Sequence, residues 1–207
     1  MAVNVVSFVS YLTRPPWREI DRDAIRLIRA LKGRTVNGST LMCRLAKPCT
    51  LDATNTEQAL EWFAKLGALS LAMKRLPHPI VLVPIPNSDC YSGNYRTPRT
   101  LQLAEAIARH VRNVIVCDVL RWKRERRPAH LHGARDQKKL YNDLVLTSVP
   151  AKGTPVLVDD VFTTGGHVLA AAARISNAGN RCCQAICLGR TVLTQQDKAF
   201  SVTQATL

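Results

Sequence analysis

The chain has 207 residues, 46% of them hydrophobic and 21% charged, and its formal net charge is +14. That length suits one globular domain with a small appended element, and the sequence has no run of about 18 apolar residues that would cross a membrane. A basic surplus of this size either attracts polyanions, whether pyrophosphate groups or nucleic acid, or forms a solvated basic surface.

The apolar start, Met1 to Leu12, has no basic flank and is interrupted by Asn4, Ser7 and Ser10, so it reads as a strand rather than a secretion signal. A cytoplasmic protein without membrane contact is expected. Arg14-Pro15-Pro16 ends this strand. Ala24, Leu27, Ile28 and Leu31 then recur at helical spacing, and Gly33 stops that helix. A turn follows at Asn37-Gly38. A second helix, capped by Thr54 or Asn55, carries Leu60, Phe63, Ala64, Gly67 and Leu71. Trp17, Trp62 and Phe63 read as core aromatics more readily than as a stacking platform. The seven cysteines are odd in number, include no CxxC pair and lie mostly among apolar neighbours, so they read as free thiols.

From Ile80 the rhythm becomes strand and helix in alternation. Ile80 to Val83 is a strand closed by Pro84-Ile85-Pro86-Asn87-Ser88, followed by a helix over Thr100 to Val111 and a strand over Val114 to Leu120. A basic stretch, Arg121 to Lys139, comes next, with Glu125 and Asp136 as its only acids. Val156-Leu157-Val158 is a strand, His167 to Ala178 a helix ended by Gly179, and Cys183 to Leu188 a further strand. Continuous apolar runs alternating with helices indicate a parallel sheet covered on both faces. The expected organisation is an appended N-terminal element over residues 1–78, an α/β core over 79–194 and a tail over 195–207.

The segment Val156-Leu157-Val158-Asp159-Asp160-Val161-Phe162-Thr163-Thr164-Gly165-Gly166-His167 carries the chemistry. A buried strand ends in two acids, and a Thr/Gly loop then opens a helix. Ligands of parallel sheets bind outside the carboxyl ends of the strands. Loop N–H groups and a helix N-terminus favour an anion, and the glycines let backbone approach a phosphate. Two acids beside a phosphate nest suit sugar hydroxyls or a Mg²⁺ ion.

This segment resembles the phosphoribosyl pyrophosphate motif of type I phosphoribosyltransferases. The resemblance implies their α/β fold, a mainly parallel twisted sheet flanked by helices, with residues 1–78 in the place of the hood that receives the acceptor base. It implies that Asp159 and Asp160 contact the ribose hydroxyls, and a Mg²⁺ ion through those hydroxyls or water. Thr163, Thr164, Gly165, Gly166 and His167 wrap the 5-phosphate. Pro84-Ile85-Pro86-Asn87-Ser88 stands at the family's pyrophosphate loop, where Asn87, Ser88, Arg96 and Arg99 would supply donors in place of prolines that lack an N–H. The basic stretch stands at the family's closing loop, which implies catalytic cations at Arg126 and Arg127.

Two positions depart from the usual pattern. His167 replaces a Thr or Ser, which adds a titratable ring. Thr163 stands where enzymes of 6-oxopurines carry a carboxylate, so the pattern is closer to the orotate enzymes and the ComF-like group than to hypoxanthine–guanine enzymes. The implied activity transfers phosphoribosyl from its pyrophosphate to a nitrogen nucleophile. The implied ligands are phosphoribosyl pyrophosphate or a ribose 5-phosphate nucleotide, and a homodimer is among the assemblies compatible with it. The alternative is a nucleotide-binding accessory protein that holds nucleic acid through Arg121 to Lys139.

Overall fold

The computed structural model describes residues 2–42, 49–94, 96–126 and 136–207. In chain order its elements are β1 (Asn4–Leu12), α1 (Glu19–Leu31), β2 (Thr40–Met42), β3 (Cys49–Leu51), α2 (Glu57–Lys74), β4 (Ile80–Pro84), α3 (Arg99–Ala108) and β5 (Val114–Val116). Then follow β6 (Leu120–Trp122), α4 (Gln137–Asp143), β7 (Leu144–Leu146), β8 (Thr154–Phe162), α5 (Gly166–Asn177), β9 (Gln184–Val192) and β10 (Phe200–Thr206).

Six strands form the main sheet in the order β10-β1-β9-β8-β4-β5. All neighbours pair in parallel except β10, which runs antiparallel to β1 at one edge. Alternation of side chains along the strands divides the core in two. Val156, Val158, Ile186 and Leu188 face one layer with Leu27 and Ile28 of α1, Trp62 and Phe63 of α2, and Leu103 and Ile107 of α3. Leu157, Ala185 and Cys187 face the other with Leu140 of α4 and Val168, Ala171 and Ile175 of α5. Burying each large side chain of this kind contributes about 1.5–3 kcal/mol. The fold is therefore an α/β sheet, mostly parallel and flanked by helices.

Several expectations need correction. β1 is not set apart with an appended element: it is an inner strand between β9 and β10, which its near-continuous burial from Val5 onward allows. The tail carries the edge strand β10. The strand expected over Val114 to Leu120 is two strands in different sheets, because the chain turns at Cys117 to Val119 and β6 pairs with β7 instead. Neither Thr54 nor Asn55 caps α2; the Asn55 side chain instead accepts from Asp52 N–H and donates to Thr50 O. Trp62 and Phe63 are core, while Trp17 is 38% exposed. Cys90, Cys117, Cys182, Cys183 and Cys187 are free thiols, and Cys43 lies outside the described residues.

The topology places the site. From β4 the chain crosses through α3 to β5 on one side, whereas from β8 it crosses through α5 to β9 on the other. The winding reverses between β4 and β8, and a crevice opens at the carboxyl ends of such a pair. The two segments singled out in the sequence, Ile85 to Ser88 and Asp159 to His167, leave those two strands.

Candidate functional site at the β4–β8 switch point

β8 extends to Phe162, so Asp159 and Asp160 lie within the strand rather than beyond it. They are 7% and 8% exposed. Each carboxylate accepts from the next backbone N–H: Asp159 Oδ1 from Asp160 at 2.8 Å and Asp160 Oδ1 from Val161 at 2.6 Å. Burial, and then the neighbouring Asp160, push the Asp159 carboxyl well above its ordinary range. Burial of an uncompensated carboxylate disfavours its charged form.

Asp160 has two cations at its outer oxygen. Lys32 Nζ and Arg99 Nη2 each lie 3.6 Å from Asp160 Oδ2. Lys32 closes the C-terminus of α1 and Arg99 opens α3, so two helices on the same face of the sheet deliver charge to one point. Arg99 Nη1 also donates to Lys32 O at 3.0 Å, and its backbone N–H donates to Asn87 Oδ1 at 2.7 Å. Thus Asn87 caps α3 and fixes where Arg99 begins.

Past β8, Thr163 and Thr164 are exposed and Gly165 and Gly166 are buried. Gly165 has φ 78°, a left-handed conformation that glycine adopts without steric cost. This turn starts α5 directly after the loop, and the first intrahelical bond retained is Leu169 N–H to Gly165 O at 2.9 Å. The N–H groups of the helix's first turn therefore lack intrahelical acceptors, the arrangement by which helix starts attract anions.

His167 sits behind this loop against Trp122, ring centroids 5.4 Å apart. The Arg126 guanidinium lies 4.6 Å over the same Trp122 ring. Burial, and then Arg126, lower the His167 imidazole to about 4, with Asp160 opposing. The ring is neutral at physiological pH. The titration of this ring therefore moves below the ordinary range, because a buried imidazole beside a guanidinium resists a second positive charge.

Trp122 also donates from Nε1 to Pro86 O at 3.0 Å, and Arg126 N–H donates to Ser88 O at 3.0 Å. The loop after β4 and the start of the basic stretch thus form one unit. The cations of that stretch are less free than the sequence suggests. Arg121 pairs with Asp118 at 2.6 Å and Arg126 with Asp143 at 2.7 Å, two acids just outside the stretch. At the far end, Arg174 of α5 lies over the Tyr141 ring at 3.9 Å, which holds α4 on the helix that follows the Thr163–Gly165 loop.

Of the residues singled out in the sequence, Asp160 and Arg99 meet beside Asp159, Thr163 to His167 follow directly on β8, and Arg126 and His167 share the Trp122 ring. Arg96 is turned away, paired with Asp89 at 2.8 Å and 69% exposed. Arg127 lies outside the described residues. Lys32, Trp122 and Asp143 were missed. A Trp between basic residues at the end of an apolar strand was a usable signal for Trp122; a lysine before a helix-ending glycine was none for Lys32.

A Mg²⁺ ion bound directly by the acid pair does not fit these residues; the contact expected from the sequence, through ribose hydroxyls or water, needs no direct carboxylate ligand. The outer oxygen of Asp160 already faces two cations, and the Asp159 site favours the neutral acid. Among the described residues no group of three or more His, Cys, Asp or Glu could hold a metal ion.

No family model and no curated protein sequence matches the chain. Solved structures similar to it include a hypoxanthine phosphoribosyltransferase from Staphylococcus aureus, at 8% identity over 70% of this chain and 71% of that one, with a TM-score of 0.40. An adenine phosphoribosyltransferase from Thermoanaerobacter pseudethanolicus is 13% identical over 73% of this chain and 95% of that one, TM-score 0.41. A hypoxanthine-guanine phosphoribosyltransferase from Bacillus anthracis is 13% identical over 69% and 78%, TM-score 0.38. At this level of similarity, the roles of individual residues rest on the site itself. Among the described residues no helix is long and apolar enough to cross a membrane.

Proposed function

We propose that the chain is a phosphoribosyltransferase acting on phosphoribosyl pyrophosphate. One observation carries the reading: an acid pair in β8 runs directly into a glycine turn and the open N-terminus of α5, at the point where the sheet's winding reverses. That arrangement suits a ligand with an anionic group and vicinal hydroxyls a few atoms apart, which describes a ribose 5-phosphate.

In this reading the N–H groups of Thr163 to His167 and the Thr163 and Thr164 hydroxyls hold the 5-phosphate. Neutral His167 adds a donor without adding charge. Asp159 and Asp160 accept from the ribose hydroxyls and align C1. The C1–O bond to pyrophosphate breaks as a C1–N bond forms to the nucleophile, whose proton passes to solvent. Positive charge builds on the ribose ring and negative charge on the leaving group. Arg99, with Asn87 and Ser88 on the adjoining loop, is suited to stabilise the leaving group, and fixed charges in a half-buried crevice do so with little reorganisation; Arg126, paired with Asp143 and stacked on Trp122, positions that loop instead. Thr163, in place of a carboxylate, favours an acceptor other than a 6-oxopurine.

Nucleic-acid binding through Arg121 to Lys139 has less support, since Arg121 and Arg126 are already paired with Asp118 and Asp143. The reading is tested by incubating the protein with phosphoribosyl pyrophosphate and a panel of pyrimidine and purine bases. Base-dependent pyrophosphate release is expected with at least one of them; none across the panel would count against transferase activity.

A further inference from the structure

The cluster around Asp160 holds more positive charge than that acid requires. Lys32 and Arg99 reach the same oxygen from separate helices at 3.6 Å, each too long for a tight ion pair. Their side chains are 25% and 42% exposed, so both lie at the crevice mouth rather than sealed in the core. Arg99 Nε is buried without a hydrogen-bond partner among the described residues, and such a donor carries a desolvation cost that a ligand oxygen would relieve. The two cations are held side by side by the Arg99-to-Lys32 carbonyl bond. The two cations share a single carboxylate oxygen, so the cluster keeps a surplus positive charge at the crevice mouth that a further anion would balance.

We propose that Lys32 and Arg99 form a built-in cationic clamp for the pyrophosphate of the ligand, so that this protein binds phosphoribosyl pyrophosphate without a divalent cation. The inference rests on the phosphoribosyl reading of the site and adds Lys32 as a binding residue. Ligand entry draws both side chains off Asp160 toward pyrophosphate oxygens, and Asp160 is freed to accept from a ribose hydroxyl. The clamp addresses only the C1 end, because the 5-phosphate has its own loop at α5.

Calorimetric titration of the full chain tests this with two ligands, phosphoribosyl pyrophosphate and ribose 5-phosphate, each in excess EDTA and in millimolar Mg²⁺. The expected result is phosphoribosyl pyrophosphate affinity within about threefold in the two buffers, less than one ordinary hydrogen bond's worth. Lys32→Gln is expected to weaken phosphoribosyl pyrophosphate binding in EDTA by about tenfold or more, the loss of one charge-assisted contact. The same variant should leave ribose 5-phosphate binding within about threefold. If wild-type binding of phosphoribosyl pyrophosphate requires Mg²⁺, the clamp is overturned while the phosphoribosyl reading stands. If Lys32→Gln lowers thermal stability but binds both ligands as the wild type does, Lys32 is only a partner for Asp160 and the clamp is again overturned. If neither ligand binds in either buffer, the phosphoribosyl reading falls and the clamp with it.

Discussion

Replacing Trp122 with Phe tests whether the basic stretch, the loop after β4 and the Thr163 to His167 loop form one unit. Trp122 is 1% exposed and joins all three: its Nε1–H bonds Pro86 O, its ring meets His167, and Arg126 stacks on it. Phe keeps a ring for Arg126 and His167 but removes the donor, leaving the buried Pro86 carbonyl unpaired at a cost of about 1–3 kcal/mol. The smaller ring forfeits buried surface and leaves a void, adding about 1–2 kcal/mol. The sum is about 2–5 kcal/mol, and at about 2–4 °C per kcal/mol for a domain of this size the melting temperature should fall by about 4–20 °C. Urea unfolding read by far-UV circular dichroism measures the first quantity, with an unchanged m-value as the check that only stability moved. Calorimetry with ribose 5-phosphate below the new melting point measures the second, and weaker binding is expected because the loop carrying Asn87 and Ser88 and the seat of His167 both loosen. A loss below about 1 kcal/mol with unaltered ribose 5-phosphate affinity would refute the joint.

Asp159→Asn keeps the acceptor for Asp160 N–H but removes a carboxyl whose charged form is penalised by burial, so the free protein should gain stability at neutral pH. Gains of this kind are about 0.5–2 kcal/mol, readable by thermal unfolding, while ribose 5-phosphate affinity falls; destabilisation together with full affinity would contradict the assignment. The sign for pH follows from the raised carboxyl: Asp159 contributes stability fully below its unfolded value, and this is lost as pH rises through the folded one. His167 has the opposite sense. Its folded value of about 4 lies below the ordinary 6.5, so the stability it contributes is present above 6.5 and is lost as pH falls toward 4. Imidazole resonances followed by NMR against pH should give a midpoint near 4 for His167, and a midpoint at the ordinary value would show that the ring is not packed as described.

How much of this was legible beforehand varied with the range of the interactions involved. The β8 segment was readable because its signals are local: an apolar run, two acids and a glycine turn within twelve consecutive residues. α1 was readable from periodicity, and the ends of both α1 and α5 from their terminal glycines. β1 was misplaced because pairing partners are set by packing across the whole chain, and no local signal tells an inner strand from a separate hairpin. The strand expected over Val114 to Leu120 failed similarly, since apolar character continues through a bend at Cys117 to Val119 that redirects the chain to β7. In the site, Arg99 was assigned to the pyrophosphate without its tie to Asp160, and Arg96 was assigned without sight of Asp89. Lys32 could not be found at all: its role arises only when α1 ends beside β8. The charge of the basic stretch is offset at Arg121 and Arg126 by Asp118 and Asp143, which lie three and four residues outside it.

The central claim is that Thr163 to His167 cradle the phosphate of a phosphoribosyl ligand. A crystal structure of the protein with ribose 5-phosphate tests it most directly. The account predicts phosphate oxygens about 2.7–3.2 Å from the loop's backbone N–H groups, with the ribose hydroxyls turned toward Asp159 and Asp160. A ligand bound elsewhere, or an empty loop at millimolar ribose 5-phosphate, would contradict it.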